Sequence, residues 1–184
     1  MLFFHLGVTA AIVYATLGRR RIDYRVVLLG AILPDLIDKP IGRIFLSDRF
    51  QTGRLWGHTL LFVVVLSLAV MLFLRGEAAR RWFVLPMAAL LHLALDGVWN
   101  HPQTFFWPLF GTTFPPDPHP WYWWQALLRP FTDPAEGLKE LLGLVLLVYL
   151  AVGHDLQKRD VRRAFLRTGK LEGGNPARSE HAPE

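Results

Sequence analysis

The chain has 184 residues, of which 52% are hydrophobic and 19% charged, so it fits a single domain and is too apolar to be intrinsically disordered. It contains no cysteine, which excludes disulfides, thiolate metal ligands and cysteine nucleophiles and leaves His, Asp, Glu or backbone oxygen to hold any metal. The net charge of +5 would suit nucleic acid if the basic residues lined one surface, but they separate apolar runs, so no nucleic-acid partner is expected.

Five apolar segments follow one another along the chain. The firmest is the segment 55–74, twenty residues without a charge, which is the length that a bilayer core demands. The others span residues 1–18, 26–34, 82–100 and 141–152. We therefore predict an all-α, helical integral membrane protein with about five mostly short membrane helices. A soluble protein with unusually buried helices is the alternative.

The basic residues are divided unevenly between the two sides of such a membrane domain. If the loops alternate sides, fourteen of the twenty Lys and Arg fall on one side and six on the other. The positive-inside rule then predicts a multi-pass protein with its N-terminus outside and its C-terminus in the cytoplasm.

Two segments differ in character from the apolar ones: one lies within the membrane-embedded domain, which we place at residues 1–154, and the other follows it. Residues 101–136 are rich in proline and aromatic residues, including Trp107 and residues 121–124, and predict an interfacial loop. This loop would serve as an anchoring belt or as a rim that grips a lipid or lipid-linked substrate. Residues 155–184 form a basic tail, which we expect to lie as a helix on the anionic cytoplasmic leaflet and to become disordered after about residue 169.

Polar residues interrupt the apolar segments at positions that the predicted topology brings to the outer face. His92 and Asp96 lie four residues apart, so they share one face of a helix. Each residue alone has an ordinary explanation, such as a hydrogen-bonded pair or a helix cap. Together they gather imidazoles and carboxylates at one depth with no cation inside the segments, which favours a bound divalent metal, zinc first and manganese second. The candidates are His5, Asp35, Asp38, His58, His92, Asp96 and His101.

These positions also resemble a known family. The stretches LPDLID at 33–38, GRLWGHTLL at 53–61 and HLALD at 92–96, with His5 near the start, look like the YdjM-type bacterial inner-membrane proteins, described as membrane-bound metal-dependent hydrolases. The resemblance covers roughly residues 1–111 and implies location in the bacterial inner (cell) membrane. A more distant resemblance is to the zinc-dependent phospholipase C and nuclease superfamily. The family resemblance implies metal-site roles for His5, Asp35, His58, His92 and Asp96.

The function that these observations favour is a membrane-bound metal-dependent hydrolase that cleaves a phosphoester or phosphodiester at the membrane interface. Its partners would be membrane lipids, and its substrate lipid-linked or otherwise a phosphoester. Asp35 and Asp38 are the candidate catalytic carboxylates that accept a proton from water activated by the metal. His101 joins the expected ligands as a further member. The alternatives are a catalytically silent structural or regulatory protein that retains a metal, and a transporter in which the same residues line an ion path.

Overall fold

The secondary structure of the protein is helical. A computed structural model describes residues 1–18, 22–117 and 123–171, and within these ranges there is no β-strand, as the all-α prediction requires. The α-helices are α1 (Leu2–Leu17), α2 (Tyr24–Pro40), α3 (Ser47–Phe50), α4 (Leu60–Phe73), α5 (Gly76–Trp82), α6 (Val84–Leu95), α7 (Pro102–Phe105), α8 (Trp123–Thr132), α9 (Pro134–Gly153) and α10 (Arg159–Thr168). A π-helical turn (Ile41–Phe45) and two 3-10 turns (Trp56–His58 and Val98–Asn100) connect them.

Capping residues explain where the observed helices depart from the apolar segments. The segment 55–74 is not one helix, because the hydroxyl of Thr59 accepts the N–H of Phe62 at 3.0 Å and begins α4 there. The last apolar segment belongs to a longer helix, α9, since the carboxylate of Asp133 accepts the first free N–H groups and Pro134 fits the first helical position. The Pro-rich loop 101–136 contains two helices, α7 and α8, which proline content alone did not predict.

The helices α1, α2, α6 and α9 pack side by side through very close backbone contacts. At the crossing of α1 and α9, a Cβ atom on Gly7 would overlap the carbonyl of Gly143, and one on Gly143 would overlap the carbonyl of Phe3. At the crossing of α2 and α6, a Cβ atom on Gly30 would meet the carbonyl of Leu85. Glycine is therefore required for these helices to approach each other so closely. Next to the second crossing lies an apolar core of Val13, Tyr24, Val26, Val27, Val84, Leu85, Ala88 and Leu171.

The end of the bundle where α1 finishes and α2 begins is held to α10 by charged residues. The buried carboxylate of Asp23 accepts hydrogen bonds from Arg25 at 2.7 Å and from Arg81 at 3.0 Å. The same two guanidinium groups donate to carbonyl oxygens in the last turn of α10. Burial opposes the charge of Asp23, but the hydrogen bonds from the two arginines outweigh it and hold the pKa of this carboxyl below its usual value. The tail therefore docks on the bundle through α10, and its residues 172–184 lie outside the described chain.

Two helices expose apolar faces that other described residues do not cover. On α4, Val65, Leu72 and Phe73 are at least half exposed, and α9 presents a similar row that includes Val148 and Tyr149. By length and composition, one helical stretch of the described residues, Gly76–Leu95, qualifies as a candidate membrane span, and α1 and α4 are shorter apolar helices. Of the five membrane helices predicted from the sequence, one thus meets this criterion of length and hydropathy.

Candidate metal centre

Five of the predicted ligands meet at the end of the bundle opposite Asp23. His5 comes from the first turn of α1, Asp35 from α2 and His58 from the 3-10 turn, while His92 and Asp96 come from the end of α6. Two overlapping groups can each hold a metal ion, and within each group the ligand atoms lie within 4.8 Å of one another. The groups are His5 with His92 and Asp96, and Asp35 with His58 and His92. Because His92 belongs to both, the residues form one compact cluster.

Local structure places these residues on the same side. His92 and Asp96 are one turn apart, as the spacing predicted, and α6 ends at Asp96 because Gly97 takes the left-handed conformation (φ 62°) that turns the chain out of the helix. The 3-10 turn that carries His58 fits against α2 because Gly57 has no side chain: a Cβ atom there would press on the backbone of Pro34. The sequence thus aims a helix end and a glycine turn at one point.

Each of the three imidazoles of the cluster is oriented by an acceptor that faces its Nδ1 atom. Nδ1 of His92 lies 2.6 Å from the carbonyl oxygen of Ala31, and Nδ1 of His5 bonds to the carbonyl of Met1. Since a carbonyl oxygen only accepts, these nitrogens carry the proton. Nδ1 of His58 likewise faces a carboxylate oxygen at 2.7 Å. In the neutral rings the Nε2 lone pairs are then available, which is the arrangement of histidines that bind metals.

The Nε2 atoms converge on one another and on carboxylate oxygens. Nε2 of His58 and Nε2 of His92 are 3.4 Å apart, a distance at which two lone pairs repel unless a proton or a metal ion lies between them. Oxygens of Asp96 lie 3.0 Å from Nε2 of His5 and 3.4 Å from Nε2 of His58. An oxygen of Asp35 lies farther out, 3.6 Å from Nε2 of His58 and 3.8 Å from Nε2 of His92.

Unpaired buried atoms mark the same point. Among the described residues, three buried side-chain atoms have no hydrogen-bond partner, and two of them belong to the cluster. One is Oδ1 of Asp35, and the other is Nε2 of His5, which with its proton on Nδ1 faces another acceptor, an oxygen of Asp96, at 3.0 Å. The third is the hydroxyl of Thr9. A buried polar atom without a partner is costly and calls for a ligand or ion. The donor set of imidazole and carboxylate, with these atoms aimed inward, therefore fits a divalent cation.

Asp38 lies behind His58 and not among the converging atoms. Its carboxylate is fully buried and accepts four hydrogen bonds, from the ring of His58 and from the backbone N–H groups of Leu55, Gly57 and His58. These bonds engage both of its oxygens. The sequence predicts a catalytic role for Asp38, and in the structure its carboxylate contacts the 3-10 turn and the ring of His58.

Replacing Asp38 with Asn should therefore weaken metal binding about 10–100-fold, the usual effect of removing the partner of a metal-binding histidine. The amide keeps the volume but turns an N–H₂ group toward N–H donors. We would measure the affinity for the metal by competition with a chelator. Asp48→Asn is the control, because Asp48 is exposed on α3. If the two variants bound the metal equally well, Asp38 would have no positioning role.

Two cations that the sequence did not single out lie beside the carboxylates. Lys39 pairs with Asp35 across one helical turn, and Nε of Arg54 lies 3.4 Å from Asp96. Lys39 could have been recognised from its spacing of four residues from Asp35. Arg54 lies in an irregular loop, where no periodicity indicates which way a side chain points. His101, predicted as a further ligand, is exposed at the start of α7 and belongs to neither ligand group.

The segment after α7 packs against the loop that leads from α3 to the 3-10 turn with His58. The ring of Phe114 is buried and contacts Trp56 at 5.5 Å and Trp107 at 5.7 Å between ring centres. Asp117 bonds to Arg43 at 2.7 Å and to the hydroxyl of Thr52 at 3.3 Å. This part of the aromatic loop thus packs next to the candidate centre. Residues 121 and 122 of the predicted rim lie outside the described residues.

Helices that gather three imidazoles and two carboxylates at one end define a helical protein with a candidate metal centre. The particular family follows from comparison: the chain matches the family model described as YdjM inner membrane protein over residues 1–159. The chain therefore belongs to the YdjM inner membrane protein family, and the resemblance stated from its motifs is confirmed. No curated protein and no solved structure matches it.

Proposed function

We propose that this protein is a membrane-bound, metal-dependent hydrolase that cleaves a phosphoester at the membrane interface. The observation that carries the proposal is the orientation of His5, His58 and His92, whose Nδ1 atoms are all tied to acceptors so that their Nε2 atoms face one point. Family membership supports the membrane location. The hydrolase activity rests on the chemistry of the cluster, as follows.

Zinc is the metal that we propose, with manganese as the second choice. Ligand atoms around a tetrahedral zinc ion, at about 2.0–2.1 Å from the metal, lie about 3.3–3.4 Å from one another. Nε2 of His58 lies 3.4 Å from Nε2 of His92 and 3.4 Å from Oδ2 of Asp96, which matches this value, and Nε2 of His5 lies 3.0 Å from the other oxygen of Asp96, Oδ1. We propose His5, His58, His92 and Asp96 as ligands, with Asp96 offering one oxygen to each side of the cluster.

Asp35 is the residue that we propose as the proton acceptor. A bound divalent ion would supply acidity to water and neutralise charge on a phosphoryl group. The carboxylate of Asp35 lies farther from the Nε2 atoms than that of Asp96 does. Its Oδ1 atom has no hydrogen-bond partner, and its Oδ2 atom accepts a hydrogen bond from Lys39. An oriented carboxylate with one free oxygen can take a proton at Oδ1.

The distribution of apolar and basic residues supports a multi-pass arrangement in which the cluster faces the outside. The exposed apolar faces of α4 and α9 suit contact with lipid, because faces of that size are rare on soluble monomers. The basic residues of α10, together with Arg25 and Arg81, lie at the end opposite the cluster. By the positive-inside rule, this distribution supports a cytoplasmic location for that end and for the C-terminus. We propose membrane lipids as partners of these surfaces.

Two other functions fit the arrangement less well. An ion path would need polar residues throughout the depth of the bundle, whereas α1, α2 and α6 pack beyond the cluster through an apolar core. A silent structural metal site needs no carboxylate with a free oxygen beside the ligands, and Asp35 provides one.

The test is turnover by protein purified without chelators and loaded with zinc or manganese. The substrates are p-nitrophenyl phosphate, bis(p-nitrophenyl) phosphate and micelles of short-chain phosphatidic acid. Asp35→Asn should keep the metal and lose about 100-fold or more in turnover, since general-base catalysis contributes that much, whereas Asp48→Asn should match the unmodified protein. If no substrate were cleaved above the level of Asp35→Asn, a silent structural or regulatory role would replace the hydrolase. If Asp35→Asn lost the metal, Asp35 would be a ligand.

A further inference from the structure

The carboxylates of the cluster are flanked by cations that are more exposed than the carboxylates themselves. The side chains of Lys39 and Arg54 are 43% and 32% exposed, while those of Asp35 and Asp96 are 16% and 13% exposed. A molecule that approaches the cluster from solvent therefore meets the two cations before it reaches the proposed metal position. The exposed side of the cluster therefore carries positive charge.

A bound metal would make the cluster more positive. Asp35 and Asp96 face the cations Lys39 and Arg54, and Asp38 faces the ring of His58. A divalent ion would add two positive charges to this arrangement. At low local dielectric the added charge attracts an anion, so the site should bind an anion more tightly with the metal than without it.

Arg54 is held in place but its donors are not saturated by its neighbours. Its Nε atom lies 3.4 Å from Oδ2 of Asp96, and its Nη1 atom lies 3.9 Å from Oδ1 of Asp117. Both distances are longer than the roughly 2.7–2.9 Å of a strong charge-assisted hydrogen bond. By contrast, Arg43 binds Asp117 at 2.7 Å. A guanidinium group has five N–H donors in a planar fork that matches the oxygens of a phosphate. Arg54 thus has both the charge and the remaining donors to bind one.

We infer that Arg54 and Lys39 form an anion site that binds the non-bridging oxygens of a substrate phosphate, and that a bound metal strengthens this binding. The inference rests on the proposed function for the metal position. It restricts the substrate to esters that carry a phosphate and excludes uncharged esters, amides and glycosides. The phosphate comes either from a lipid headgroup or from a soluble phosphoester.

The experiment measures the binding of inorganic phosphate by isothermal titration calorimetry, with detergent-solubilised protein loaded with metal and freed of excess ion. The metal-free protein should bind phosphate at least tenfold more weakly. Arg54→Gln should weaken binding about tenfold or more while the metal content stays unchanged, since a hydrogen bond to a charged group contributes about 1.5–3 kcal/mol. Arg80→Gln is the matched control, because Arg80 is exposed on α5 and its pair with Glu77 lies open to solvent, away from the cluster. Lys39→Gln should show a smaller loss than Arg54→Gln.

Equal phosphate binding by the Arg54 and Arg80 variants would overturn the inference. Loss of metal in Arg54→Gln would also overturn it, because Arg54 would then act by holding Asp96. Phosphate binding that depends on Arg54, without turnover of any phosphoester, would remove the hydrolase and leave the anion site standing. Turnover that does not depend on Arg54 would do the reverse.

Competition distinguishes the two sources of the phosphate. Micelles of dihexanoyl phosphatidic acid and soluble glycerol phosphate should both displace inorganic phosphate, and dihexanoylglycerol should not. Stronger displacement by the lipid supports a headgroup in the site, and equal displacement supports a soluble phosphoester. Displacement by dihexanoylglycerol, which has no phosphate, would contradict anion recognition.

Discussion

Replacing His92 with Ala should remove the bound metal, because His92 belongs to both groups of ligand atoms and lies between His5 and His58. The other ligands cannot close a tetrahedral site without it. We expect metal analysis of protein purified without chelators to show less than a tenth of the metal found in the unmodified protein. The loss should be accompanied by loss of the thermal stabilisation that added metal gives.

The matched control for this result is His101→Ala. The sequence placed His101 among the ligands, but it is exposed at the start of α7 and outside both groups. His101→Ala should therefore keep the full metal content and the same rise in melting temperature on metal addition. If His92→Ala and His101→Ala both lost the metal, or both kept it, the ion would bind elsewhere.

Replacing Gly143 with Ala should destabilise the protein by about 1–3 kcal/mol or more, although alanine is the better helix former. A single methyl group at this position would overlap the carbonyl of Phe3, and backbone atoms cannot move aside as a flexible side chain can. The helices α1 and α9 would have to separate. Since α1 carries His5, its displacement should also lower the affinity for the metal.

Gly153→Ala, at the end of the same helix, is the matched control, and we expect it not to destabilise the protein. No atom lies within 4 Å of the position that a Cβ atom on Gly153 would occupy. The change should be neutral or should stabilise α9 by at most ~1 kcal/mol, the difference in helix propensity. Thermal unfolding of both variants in detergent would test the pair. A Gly143→Ala protein as stable as Gly153→Ala would mean that α1 and α9 do not cross at this glycine.

The helical class and the grouping of the candidate ligand residues could be predicted from the sequence because both depend on local patterns. Apolar segments indicate helices, and the spacing of His92 and Asp96 fixes a shared helical face without knowledge of the fold. The helix boundaries were less predictable, since capping by Thr59 and Asp133 decides where α4 and α9 begin. Hydropathy does not report such caps.

The roles within the site depended on contacts between distant parts of the chain, and here the sequence was less informative. The spacing of Asp38 from Asp35 did not show that the backbone N–H groups of residues 55, 57 and 58 donate to its oxygens. Arg54 lies at the cluster because it contacts Asp96, which is 42 residues later in the chain. Neither relation follows from periodicity or spacing, because each requires an irregular loop to fold against a helix.

The docking of α10 also sets an order of events during synthesis. Arg25 is made early, yet the carbonyl oxygen of Leu166 that it binds is 141 residues away, and Leu171 fills the core beside Tyr24. Until residues 166–171 have been made, Arg25 lacks its carbonyl acceptors and the core beside Tyr24 lacks Leu171. This end of the bundle can therefore close only after nearly all of the described chain has been synthesised.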